Sequence, residues 1–138
     1  MTVSRSQIYP LARQLFATGG LDWATANVKV AVLAAGYTPD FTQEYISGIP
    51  ASVILGTSGN ITGKTGAAGF LNGDTTSFGV IGAGTAGYIL FYKDTGNPST
   101  SVLILFLDTP DIPGMPQDLE GLEYFIYENL TYGGWARL

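Results

Sequence analysis

Gly87-Tyr88-Ile89-Leu90-Phe91-Tyr92-Lys93 is followed by the turn residues Asp94-Thr95-Gly96-Asn97-Pro98, and then by Val102-Leu103-Ile104-Leu105-Phe106-Leu107-Asp108. The fold turns on these two apolar runs. Both apolar runs are rich in aromatic and branched residues, and both are bounded by turn formers. That combination reads as two strands. Both faces of each run are apolar. Either the strands are central and covered on both sides by their own chain, or one sheet face is buried by a neighbouring subunit.

The pattern extends outward from this pair. Ser77–Ile81 and Tyr124–Glu128 have the same character, and Gly82-Ala83-Gly84 and Pro110–Pro116 supply the turns between. Upstream, Asn27–Leu33 reads as a Val-rich buried strand and Ser52–Gly56 as another. Residues 60–66 and 69–72 are weaker candidates. Gly134–Leu138 reads as a last strand. The clear helix is at residues 6–18, where Ile8, Leu11, Leu15 and Phe16 share one face. Pro10 is tolerated in its first turn, and Gly19-Gly20 ends it. Strands about 10 to 20 residues apart with no helices between them favour an antiparallel β-sandwich. The expectation is therefore one mainly-β domain over 1–138, jelly-roll-like. A short amphipathic helix over 6–18 precedes strands over 27–138, with a long loop at 36–50 and a helical turn within it at Thr42–Ile46.

Composition narrows the chemistry. The 138 residues include no cysteine and no histidine. Thiol chemistry, histidine-based triads, imidazole switching and the usual zinc sites are excluded with them. Eleven carboxylates leave oxygen-ligand cation sites open. A net charge of −5 with only six Lys and Arg argues against nucleic-acid binding. Charged residues are 12% of the chain, about half the share of roughly 25% found in ordinary domains. So little charge over so large a surface points to buried protein–protein contacts. No segment has 18 uninterrupted apolar residues, and the first twenty lack the apolar stretch of a secretion signal. Synthesis in a cytoplasm, with no membrane association, is the expectation.

Four patterns invite a sharper reading. Gly82-Ala83-Gly84-Thr85-Ala86-Gly87 is a literal G-x-G-x-x-G, and Asp108 follows about 20 residues on, as the ribose-binding acid of a dinucleotide fold would. That fold needs a helix after the last glycine, and Tyr88–Pro98 is too aromatic and too broken to form one. A glycine-rich hairpin turn is the better reading. Gly59–Thr65 approaches a P-loop but is one residue short, and Gly66-Ala67-Ala68-Gly69 follows where a helix should begin; an exposed strand carrying Lys64 is expected. Asn60-Ile61-Thr62 and Asn129-Leu130-Thr131 match glycosylation sequons by chance. Asp108, Asp111 and Asp118 surround a proline-rich loop, but their spacing fits no calcium loop, so solvated carboxylates are expected. No catalytic residue, metal ligand or cofactor is assigned.

The candidate interaction residues are aromatic: Tyr37, Phe41, Tyr88, Tyr92, Tyr132 and Trp135. Outward-facing tyrosines suit interfaces, because the ring is apolar and the hydroxyl is not.

Over nearly its full length the chain resembles a family of short tailed-bacteriophage structural proteins. The likeness is carried by Ala12–Phe16, Gly19–Trp23, Val28–Leu33, Tyr37-Thr38-Pro39-Asp40-Phe41, Ile61–Thr65, Tyr92–Gly96 and Leu103–Asp108. It does not extend to Pro116–Glu123. The resemblance implies a non-enzymatic virion component, most simply a decoration (cement) protein on the capsid surface. Its partners would be the major capsid protein and copies of itself, as a dimer or trimer. A tail, fibre or baseplate element binding host glycans is the alternative, and a small carboxylate-based or nucleotide-binding enzyme a remote one.

Overall fold

The computed structural model describes residues 5–66, 69–74, 76–81, 84–109, 112, 117–118, 122–126 and 136–137. The chain is mainly antiparallel β with one helix, as expected. The described elements are β1 (Gln7–Ile8), α1 (Pro10–Thr18), β2 (Val28–Ala34), β3 (Ile54–Thr57), β4 (Phe70–Leu71), β5 (Thr76–Ile81), β6 (Thr85–Lys93), β7 (Leu103–Leu107), β8 (Gln117–Asp118), β9 (Leu122–Ile126) and β10 (Ala136–Arg137). Six strands share one sheet in the order β1-β7-β6-β2-β3, with β8 pairing to β6 at Thr85 and Ala86. Two further ladders join β5 to β9 and β4 to β10.

The two decisive runs lie at the centre of the large sheet. β6 pairs with β2 along its whole length and with β7 on its other side. Residues 86–92 of β6 and 103–107 of β7 are all buried. Of the two readings of their doubly apolar pattern, the first holds: the chain covers both faces itself. Register separates those faces. Val30 and Val32 stand beside Phe91 and Ile89 on one, while Ala31 and Leu33 stand beside Leu90 and Tyr88 on the other. The first face is met by Trp23, whose ring lies 6.2 Å from Phe91, and by Ile81 of β5, which lies over Gly56, the β3 partner of Val32. The second face is met by Tyr9 and by the loop bearing Tyr37 and Phe41.

The helix starts later than expected. Gln7 and Ile8 form β1, paired antiparallel with Phe106 and Leu105, and α1 begins only at Pro10. The cause is Pro10 itself. The ring of a proline clashes with a helical residue before it. Tyr9 accordingly sits in extended backbone at φ −61°, ψ 144°. Ile8 is thus a strand residue, and the buried helical position is Ala12, flanked by half-buried Leu11, Leu15 and Phe16. At the other end Gly19 adopts φ 80°, and the Gly20 N–H donates to the Leu15 carbonyl at 2.9 Å, closing the helix as its Gly-Gly predicted.

The 36–50 connection holds a 3-10 turn at Ile46–Gly48, slightly later than the turn expected at Thr42–Ile46, and Tyr45 bridges Val102. The G-x-G-x-x-G segment leads into strand β6, with no helix after Gly87. Gly82 and Ala83 of the expected turn lie outside the described residues; among those described, β5 pairs with β9 while β6 pairs with β2, β7 and β8. Gly87 is fixed by a close approach, since a Cβ there would lie 2.6 Å from the Cα of Ala35. The P-loop-like stretch contains only an isolated Thr65–Asn72 bridge, with the Lys64 ammonium donating to the Ile61 carbonyl at 3.2 Å. No described helix is long and apolar enough to cross a membrane.

Candidate interaction site

Tyr37, Phe41 and Tyr88 come from a loop and a central strand, and the fold brings them together. The Tyr37 and Tyr88 rings meet edge-on at 6.3 Å. Tyr88 lies 5.2 Å from Phe106, and Phe41 packs edge-on to the same Phe106 at 5.3 Å. Tyr9, the residue held extended by Pro10, closes the group with its ring 5.5 Å from Phe41. Edge-to-face contacts of this kind add about 0.5–1.5 kcal/mol each beyond the area they bury. The cluster is therefore an internal joint between β6, β7, the loop and the start of α1.

This placement corrects the expectation of outward tyrosines. Tyr37 is 9% exposed, Tyr88 6% and Tyr92 8%. Alternation along a strand identifies residues that share a face, but it does not reveal what the chain later folds over that face. Among these four only Phe41 is half-buried. Tyr92 stands apart from the cluster, opposite Lys29 in the β2–β6 register. Tyr132 and Trp135 lie outside the described residues. Burial, above all, pushes the Tyr37 and Tyr92 hydroxyls above the ordinary tyrosine range. It does the same more strongly for Tyr9, with the nearby Tyr37 and Asp40 adding to it. These phenols stay neutral, as packing groups should.

Sequence reasoning missed the polar feature beside this cluster. Asp108, at the end of β7, is 2% exposed. Arg5 meets it from 103 residues away: the guanidinium Nε donates to Oδ2 at 3.0 Å and Nη2 to Oδ1 at 3.3 Å. The Arg5 backbone N–H adds a third bond to Oδ2 at 2.8 Å, and the Thr109 N–H a fourth to Oδ1 at 2.8 Å. Nη2 also donates to the Tyr88 hydroxyl at 3.1 Å, and the guanidinium carbon lies 5.6 Å from the Tyr88 ring centroid. The Asp108 N–H in turn donates to the Ser6 hydroxyl at 2.7 Å. Burial acts to raise the pKa of Asp108, but the Arg5 and Thr109 bonds outweigh it and hold the carboxyl below the usual range. The acid that mimicked a ribose ligand is thus a structural anion that clasps β1 to β7.

Asp118 is exposed on β8, and Asp111 lies outside the described residues. Among the described residues no group of three or more carboxylates is placed to hold a metal ion. An open depression of about 510 Å³ lies between β1 and α1, lined by Gln7, Ile8, Pro10, Arg13, Gln14 and Ala17. It contains no carboxylate and no pair of groups suited to proton transfer. No protein-family model matches the chain, and no curated protein matches it.

Proposed function

We propose that the chain is a non-enzymatic virion structural protein. In this reading it is a decoration protein that binds the assembled capsid surface of a tailed phage and stabilises the head. The β5–β9 and β4–β10 ladders would complete a sandwich with the large sheet, giving a rigid body to set on a lattice. What supports the reading is a chain only 12% charged, with half-buried apolar side chains packed at the margin of its core. Leu11, Leu15 and Phe16 lie along α1, and Tyr45 and Ile46 along the 36–50 loop, each packed on the core by part of its surface. Exposed Arg13, Asp40 and Glu44 stand among them along the chain. Apolar area of this kind gains about 25 cal/mol per Å² when a partner covers it. The resemblance to phage structural proteins supplies the partner class, the major capsid protein.

The mechanism is mass action. A protein that binds assembled shells and not free subunits stabilises the shell by its binding free energy, and many copies held by the lattice add avidity. The burial of Tyr37, Tyr88 and Tyr92 leaves none of these three rings free to stack on a sugar. The test is to prepare heads with and without the chain and follow their disruption on heating or salt dilution. Heads carrying the chain should survive to higher temperature, and Phe16→Asp or Ile46→Asp should weaken the effect. Equal survival in both preparations counts against the reading.

A further inference from the structure

We propose that the β7 edge of one copy takes the N-terminal segment of a second copy, so that chains link in pairs by exchanging β1 and α1. This rests on the assembly reading above and names one of its partners.

The edge has definite chemical requirements. At its end stands the Asp108 carboxylate, 2% exposed while Arg5 is seated on it. The adjacent Asp108 N–H is met by a hydroxyl. Then come Phe106 and Leu105, which take an extended pair, and the Ile104 carbonyl, which accepts the Tyr9 N–H at 2.8 Å. Arg5-Ser6-Gln7-Ile8-Tyr9 satisfies all of these in order. Arg5-Ser6 is the only Arg-Ser pair in a chain with six basic residues and a net charge of −5. When the edge opens, the same segment on another copy brings the same charge and order.

A pivot separates this segment from the rest of the chain. Gly19 and Gly20 are exposed, Gly19 is at φ 80°, and nothing lies within 4 Å of where its Cβ would be. Immediately beyond, Leu21 and Trp23 are buried, and the Trp23 indole N–H donates to the Asn72 carbonyl at 3.1 Å. The exchanging unit is thus Arg5–Thr18, and the hinge is two residues long. Short hinge loops invite exchange, and mutual exchange between two copies gives a closed two-fold pair. Closure within one chain dominates in dilute solution. Crowding of copies on a lattice raises the local concentration that drives the exchange.

Two variants test it. Arg5→Asp and Asp108→Arg each place like charges at the clasp, whereas a mixture restores both opposite-charge pairs, but only between chains. After joint refolding at high protein concentration, native mass spectrometry should show a heterodimer, with each variant alone monomeric. A mixture that stays monomeric while both variants keep the wild-type circular dichroism overturns the proposal. Should either variant fail to fold, the wild-type chain decides. Refolded at high concentration, it should yield dimers that persist on dilution, because separation requires β1 to leave β7. Monomer at every concentration overturns the exchange. A monomer that still stabilises heads overturns the exchange alone; a dimer that binds no heads overturns the assembly reading instead.

Discussion

Two ion pairs brace different parts of the large sheet, and both close at 3.0 Å. Arg5 meets Asp108 where β1 lies on β7, and Lys29 meets Asp94 where β2 lies against the end of β6. Their surroundings differ. The Asp108 side chain is 2% exposed and accepts from three groups of Arg5 and from the Thr109 N–H, whereas Lys29 and Asp94 are 32% and 26% exposed. At Asp94 only the Gly96 N–H adds to the lysine. Equal distance therefore does not mean equal worth. An exposed pair trades hydration and side-chain entropy for a screened attraction and nets about 0–1 kcal/mol. A buried carboxylate that loses its partners keeps its desolvation cost, so breaking that pair costs several times more.

The largest effect should come from Arg5→Ala, which leaves Asp108 buried without its guanidinium. We expect a loss of about 2–4 kcal/mol in urea unfolding, discounted from a fully buried pair because Arg5 is 46% exposed. A loss under 1 kcal/mol would erase the distinction between the two pairs. Acid comes next. Asp108 and Asp94 both titrate below the ordinary aspartate range in the folded chain, Asp94 through its bond to Lys29 first. The stability they confer is thus complete above the unfolded pKa of about 3.9 and is lost as pH falls through the lower folded values. Unfolding free energy should be flat above about pH 5 and fall steeply below about pH 4. Asp108→Asn should flatten that fall far more than Lys29→Ala.

The positions of these residues also show how far the sequence could be read. The strands at Val28–Ala34, Thr85–Lys93 and Leu103–Leu107 were legible because β-propensity and turn residues act locally. Pro10 is compatible with the first turn of a helix, but its stronger local effect is to hold Tyr9 extended, which makes β1 possible. The clasp was not legible at all. Arg5 and Asp108 are 103 residues apart, and neither stands in a pattern that selects the other. The aromatic cluster was half legible. Tyr37, Phe41 and Tyr88 were singled out for their chemistry, but only long-range folding decides that they face Phe106 and Tyr9.

Smaller changes sharpen the comparison. Tyr88→Phe keeps the ring under Arg5 and removes only the hydroxyl that accepts from Nη2. We expect a loss of about 0.5–1.5 kcal/mol, and a double-mutant cycle with Arg5→Ala should show coupling. Lys29→Ala should cost about 0–1 kcal/mol, and that cost should shrink in molar salt because the pair is exposed. A salt-insensitive loss as large as that of Arg5→Ala would contradict the ranking.

The proposed seat of this chain is the surface of an assembled shell. Cryo-electron microscopy of virions from which the chain has been deleted, compared with intact ones, tests it directly. Heads should still form, and a defined density should disappear from the capsid surface. Unchanged heads, with the missing density on the tail or nowhere in the particle, would contradict it.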